Sequence, residues 1–214
     1  MYIKKLFKLK NSDTRVELHH QYGGIIKQLN LEEFWTSISE GERVIIRNSC
    51  KRSFGQSDFD LMDVDTQESL LRTRRNTSSF LIGCAAWAIE IAKYDFAEKL
   101  LLTSIEYAPD ILTLHTSYNW LIKIHDHLRL TNKSSLDDCI TYCVHDIDIL
   151  PLLIEELRKN KRNIPQIRSI TVLLSIYKEL GLQDEINKLN EVVRFYPALM
   201  PDTIYPLYPR TPLL

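Results

Sequence analysis

The 214-residue chain has no excess of charge of either sign. Its 27 basic side chains are set against 28 acidic ones, so the formal net charge is -1. Proteins that bind nucleic acid or anionic membranes by electrostatics usually carry a marked basic excess. We therefore expect neither a nucleic acid nor a membrane as partner.

The chain also lacks the segments that direct or anchor a protein in a membrane. The apolar stretch 80–91 is too short to cross a bilayer, which needs about 20 residues. The basic start, with Lys4 and Lys5, is followed by neither an apolar h-region nor a small-residue cleavage site. These absences predict a cytoplasmic protein.

Cysteine is scarce. Cys50, Cys84, Cys139 and Cys143 have no disulfide-framework spacing, and a chain of this length buries a core without disulfide bonds. Cys139 and Cys143 with His145 could suggest zinc, but no fourth ligand is evident. We expect reduced thiols and no bound metal.

Catalytic motifs are absent as well. The sequence has no glycine-rich phosphate loop, no G-x-S-x-G turn and no H-E-x-x-H helix. We expect a protein that is not an enzyme and that carries no cofactor.

One enzymatic alternative stays open. His115, the dipeptide His125-Asp126, and Asp146 or Asp148 are similar to the metal-binding set of the helical HD phosphohydrolases. His125, however, lies on the apolar stripe of its helix. A hydrogen-bonded core histidine is therefore the favoured interpretation.

What the sequence does contain is helical periodicity, strongest between Ser78 and Pro109. Residues 80–91 are apolar around nearly the whole helix, so other parts of the chain must cover both sides. A turn at Lys93-Tyr94-Asp95 leads into an amphipathic helix, 96–108. We expect Trp87 and Leu101 to be buried.

Helix-capping residues place the neighbouring elements. Asn30 and Ser39, the latter with Glu42, predict two short helices, and Asp110 caps a helix from Ile111 to about Leu130. Residues 51–77, which follow the second short helix, are polar. The acidic run Asp58, Asp60, Asp63 and Asp65 has no glycine placed for a calcium loop, so we predict a solvated connection with one helical turn at 67–74.

Further helices are predicted after Ser134, at Leu152–Lys159, after Pro165 and from Asp184 to Arg194, with Gly181 as a C-terminal cap. Five of the eight prolines lie in the final 18 residues, which predicts an extended tail. The organisation we expect is an uncertain segment 1–29, short helices and a loop at 30–77, a helical stack at 78–197 and a tail at 198–214. The apolar tail should dock on its own stack, with a second molecule as the alternative.

Two segments share a turn, an amphipathic helix and a final proline. They are Ala92-Lys93-Tyr94-Asp95-Phe96-Ala97 with Leu101, Ser104 and Pro109, and Leu180-Gly181-Leu182-Gln183-Asp184-Glu185-Ile186 with Asn190, Val193 and Pro197. Leu136, Cys139, Cys143, Asp146 and Pro151 match more loosely. Residues 78–197 therefore resemble a divergent tetratricopeptide array. The proline spacings of 42 and 46 exceed the usual 34 or so, and the helix-A tryptophan and tyrosine signature is absent. The stretch from Phe34-Trp35 through Glu42-Arg43 into this array also resembles a domain of uncharacterised bacterial proteins.

This resemblance implies an all-α, right-handed stack of antiparallel helix pairs, with a groove lined by the first helix of each pair. It implies a non-catalytic interaction module whose partner is another protein or a peptide; a self-associating structural subunit is a further alternative. The candidate surface is the polar stripe His115, Asn119, Lys123 and Asp126, against the alternative of an ordinary solvated helix face. A second cluster, Arg158, Lys159, Lys161 and Arg162, could contact anions, although a solvated helix end suits it better.

Overall fold

The computed structural model describes residues 21–54, 59–164 and 166–195. Within these ranges the regular structure is helical, with no strand, as predicted. The elements are α1 (Gly24–Gln28), α2 (Glu32–Ser37), α3 (Glu40–Phe54), a 3₁₀ helix (Leu61–Val64), α4 (Thr77–Glu90), α5 (Tyr94–Glu106), α6 (Ile111–Leu128), α7 (Ser134–Asp148), α8 (Leu150–Lys159), α9 (Arg168–Glu179) and α10 (Gln183–Phe195). None of these helices combines the length and apolarity that a bilayer crossing requires.

The pair α4 and α5 forms the predicted central hairpin. The Oδ1 of Asn76 accepts a hydrogen bond from the backbone N–H of Ser79 at 2.8 Å, which caps the start of α4. Its end is closed by Ala92, at φ 57°, and by a 2.8 Å bond from the N–H of Lys93 to the carbonyl of Ala88. The turn thus lies at 91–93, two residues earlier than predicted.

The helices that follow pack in the same manner. α6 packs on α5 and pairs with α7, and α9 packs on α7 and pairs with α10. The helices α3, α4, α6 and α9 contact one another in succession, while the short α8 lies against α6 and α7. The buried apolar side chains form one continuous core from Ile25 in α1 to Val193 in α10.

The helix caps are only partly as predicted. Ser39 and Glu42 form a reciprocal capping box, and Asp110 Oδ1 accepts from the N–H of Thr113 at 2.7 Å. Asn30 does not cap α2. It has φ 54° and closes the end of α1, and Leu31 occupies the cap position of α2. Gly181, at φ 69°, ends α9 as predicted.

The connection between α3 and α4 differs most from expectation. Its helical turn lies at Leu61–Val64, and residues 67–74 are not helical. Asp65 of the acidic run is 7% exposed and contacts Arg47, so the prediction of a solvated loop is wrong at that position. The predictions for residues 1–20, for Asp58, for Pro165 and for the tail from 196 onward concern residues outside the described ranges.

Candidate functional site

An open groove of about 490 Å³ crosses the layer formed by α3, α4 and α6. Residues of all three helices line it, and α4 contacts both α3 and α6. Lining residues include Arg52 and Ser53 of α3, Gly83, Trp87 and Glu90 of α4, and Trp120 and Lys123 of α6.

Two half-buried tryptophans supply the aromatic surface of the groove. The guanidinium carbon of Arg52 lies 4.7 Å from the centroid of Trp87, and the Nζ of Lys123 lies 4.7 Å from that of Trp120. Each indole therefore holds a cation over one face. The prediction that Trp87 is a buried core residue is wrong, because the neighbouring helices leave that side of α4 open.

The positive charge in this groove is only partly neutralised. Arg52 pairs with Glu90, at 2.6 Å between Nη1 and Oε2. Among the described residues, Lys123 has no ion pair and no hydrogen bond. Desolvation lowers the pKa of Lys123, and the nearby charge of Arg168 lowers it further. The guanidinium of Arg75 lies against Gly83, where an added side chain would overlap it.

The predicted stripe on α6 does not form one exposed surface. His115 is buried, so the expectation that it is exposed is wrong. Asp126 is half-buried and accepts a 2.8 Å hydrogen bond from Nε of Arg129. Asn119 is half-buried beside His115. Only Lys123 of the four lines the groove.

His115 belongs to a closed polar network. Its Nδ1 donates to Oδ1 of Asp146 at 2.6 Å, and its Nε2 accepts from the side-chain amide of Asn119 at 2.8 Å. Ser169 donates to the other oxygen of Asp146 at 2.7 Å. The serine hydroxyl is bonded to the carboxylate rather than to the imidazole, so these residues do not form the serine–histidine–aspartate relay of a catalytic triad. The network links α6, α7 and α9 and is structural.

His125 is a core residue, as predicted, with 3% of its surface exposed. The predicted hydrogen bond is not present among the described residues. Its Nε2 is 3.1 Å from Oε1 of Glu98 but outside hydrogen-bond geometry, and its Nδ1 is 3.9 Å from Oδ2 of Asp138. The imidazole is nevertheless close enough to lower the pKa of Glu98. The hydroxyl of Tyr142, which donates to the same oxygen at 2.9 Å, lowers that pKa as well.

These histidines do not converge on one point. His115 and His125 are ten positions apart on α6, or about 15 Å along the helix axis. Within the part of the chain that the structure describes, no group of three or more histidine, cysteine or acidic side chains is placed to hold a metal ion. Cys139 and Cys143 are buried free thiols. The geometry therefore gives no support to an HD-like metal centre or to a zinc site.

The second predicted cluster, Arg158, Lys159, Lys161 and Arg162, is exposed around the C-terminal end of α8. Lys159 lies 3.9 Å from Glu156 on its own helix. This arrangement agrees with a solvated helix end whose positive charge suits the helix dipole.

No known protein family, curated protein or solved structure matches this chain. The functional argument therefore depends on the groove. Trp87 was predicted as a core residue, and no role was predicted for Trp120. The spacing of Trp120 and Lys123, three positions apart on one helix face, was the signal that could have indicated part of the groove.

Proposed function

We propose that the protein is a non-catalytic interaction module that holds a short segment of another protein in the groove between α3, α4 and α6. The observation that carries this proposal is the presence of two half-buried tryptophans, Trp87 and Trp120, in one groove. Tryptophan and arginine are the residues most enriched among those that dominate binding energy at protein interfaces. Arg52 stacked on Trp87 adds to that surface.

The order of helices supports the finer part of this proposal, a right-handed tetratricopeptide-like superhelix. The pairs α4/α5, α6/α7 and α9/α10 follow one another, and their first helices are in contact. The groove lies on that first-helix side, where such arrays bind partners. The insertion of α8 between the second and third pairs accounts for the long proline spacing in that part of the chain.

A selection experiment tests the proposed function. The full chain would be immobilised and used to select peptides from a displayed random-peptide library. We expect peptides whose affinity falls by about tenfold or more in Trp87→Ala and Trp120→Ala, since tryptophan truncation at an interface centre costs upward of about 2 kcal/mol. The milder changes Trp87→Leu and Trp120→Leu separate lost contact from lost fold, and circular dichroism checks the helicity of each variant.

The matched control is Leu70→Ala, which removes an apolar side chain that is 84% exposed and does not line the groove. It should leave peptide affinity unchanged. Failure to select any peptide, or selection of peptides that bind all four tryptophan variants equally well, would contradict the proposal.

A further inference from the structure

Three cations near the groove have no carboxylate partner among the described residues. Glu90 neutralises Arg52, but Lys123, Arg75 and Arg168 have no ion pair in that part of the chain. The chain as a whole has a net charge of -1, so this local excess of positive charge is not a property of the average surface.

Two of these cations lie on helices that contact each other, α6 and α9. Lys123 on α6 is half-buried against Trp120, and Arg168 begins α9, the next helix in the layer. Desolvation and the charge of Arg168 both lower the pKa of Lys123. Its ammonium group is therefore partly desolvated without an opposite charge from the described residues to stabilise it. An anionic group at this place would relieve both effects.

The aromatic contacts narrow the choice of ligand. A cationic ligand is disfavoured because Arg52 and Lys123 already cover one face of each indole and would repel it. Single-stranded nucleic acid binds by stacking its bases on aromatic side chains along a continuous positive track. Here each indole already has a cation over one face, and the groove itself is lined by two cations and one carboxylate rather than by a continuous positive track. These features favour a peptide.

We propose that the groove binds a partner segment in which an acidic side chain lies next to an apolar one. The carboxylate would accept a hydrogen bond from Lys123, with the positive charge of Arg168 on the neighbouring helix adding attraction, and the apolar side chain would pack on Trp87 and Trp120. This inference rests on the proposed function and specifies the partner's chemistry.

Three fluorescein-labelled peptides of equal length test the inference: one alternating glutamate and leucine, one with glutamine for glutamate, and one with lysine for glutamate. Fluorescence anisotropy with the full chain gives each affinity. We expect the glutamate peptide to bind about tenfold more tightly than the glutamine peptide, with an advantage that shrinks as salt rises. Lys123→Glu and Arg168→Glu should each remove that advantage, and together they should favour the lysine peptide.

Lys123→Met keeps the aliphatic stem over Trp120 and removes only the charge, so it separates electrostatics from packing. Lys159→Glu is the matched control, because it makes the same charge change in an exposed cluster outside the groove. If Lys159→Glu weakened glutamate-peptide binding as much as Lys123→Glu, the preference would reflect net charge alone and the inference would be wrong.

The remaining outcomes separate this inference from the proposed function. Equal binding of the glutamate and glutamine peptides, still sensitive to Trp87→Ala, would overturn the acidic preference and leave the interaction module standing. If neither these peptides nor any library peptide bound, both proposals would fail. Binding of labelled oligouridylate that is lost in Lys123→Glu, without binding of the acidic peptide, would overturn both in favour of a nucleic-acid site.

Discussion

Residues 21–73 and the helices from α4 onward are held together in different ways. From α4 to α10 the contacts are mainly apolar, with fully buried side chains such as Leu101, Leu121 and Ile122 between successive helices. In residues 21–73 the central contact is ionic. Arg47 donates to both oxygens of Asp65, at 2.8 and 2.7 Å, and contacts Glu40, while Nε1 of Trp35 donates to Asp65 at 3.2 Å.

The first region is also held by close contacts between two backbone segments. Gly23 and Gly24 lie against the backbone of residues 63–67, where any side chain would overlap a carbonyl group. Gln28 exchanges two hydrogen bonds of 2.8 Å with the backbone of Thr73. Both regions share the apolar core, in which Ile25 and Trp35 are fully buried. The first region differs in adding a buried ion pair and close backbone contacts to that core.

The largest expected effect comes from breaking the ion pair. Arg47→Met should lower the free energy of unfolding by about 3–5 kcal/mol, because it leaves the buried charge of Asp65 without its counter-ion. Asp65→Asn should cost less, because Arg47 keeps its ion pair with Glu40. The double change Arg47→Met with Asp65→Leu should recover much of that loss. Urea denaturation measures all three variants. A loss below about 1 kcal/mol in Arg47→Met would show that the pair does not hold the region.

In the helical stack, Leu101→Ala should cost about 2–5 kcal/mol, since it opens a cavity at a fully buried position. Leu102→Ala is the control on the same helix, because Leu102 is 42% exposed and its truncation should have little effect. Equal losses in the two variants would mean that α5 presents a different face to the core.

Smaller effects on stability are expected at two turns that end helices. Ala92 and Gly181 both have positive φ, of 57° and 69°, and an L side chain in that conformation costs about 1–2 kcal/mol. Ala92→Gly should therefore stabilise the protein and Gly181→Ala should destabilise it, each by about 1 kcal/mol in thermal or urea unfolding. Nothing lies near Gly181 for an added methyl group to contact, so its effect is conformational alone. Changes of the same sign in both variants would contradict this explanation.

The smallest effect concerns pH. Because His125 and Tyr142 lower the pKa of Glu98 below its usual 4.5, the folded state binds this proton less readily than the unfolded chain. The resulting stability is present above about pH 4.5 and is lost as the pH falls through the lowered pKa. Glu98→Gln should flatten the acid limb of the stability profile. Glu106→Gln, on the same helix, controls for the loss of one carboxylate.

The sequence allowed prediction of features whose partners are near one another in the chain. Ser39 and Glu42 are three residues apart, and Asp110 caps the turn that follows it directly. Asp65 was not recognised as buried, because its partner Arg47 is 18 positions away and its neighbours are acidic. For this reason Asp65, which forms a buried ion pair, was predicted as part of a solvated acidic loop.

The candidate site was predictable to a similar extent. Lys123 was identified from its polar stripe, but His115 on the same stripe is buried by Asp146 of α7, 31 positions away. Trp87 was assigned to the core because its helix is apolar on nearly every side. The periodicity of one helix does not reveal which face its neighbours leave open, and that face is what makes the groove.

Buried thiols report on opening at two places in the fold, the contact between α3 and α4 and the interior of the helical stack. Burial raises the pKa of Cys84 to about 12 and also raises that of Cys50, so neither thiol offers the nucleophilic thiolate while the fold is closed. Contact with Cys139 and burial also raise the pKa of the Cys143 thiol in α7. Alkylation followed by mass spectrometry would therefore time two events in the unsubstituted protein. Modification of Cys50 and Cys84 would mark the separation of α3 from α4, and modification of Cys143 would mark the opening of the stack.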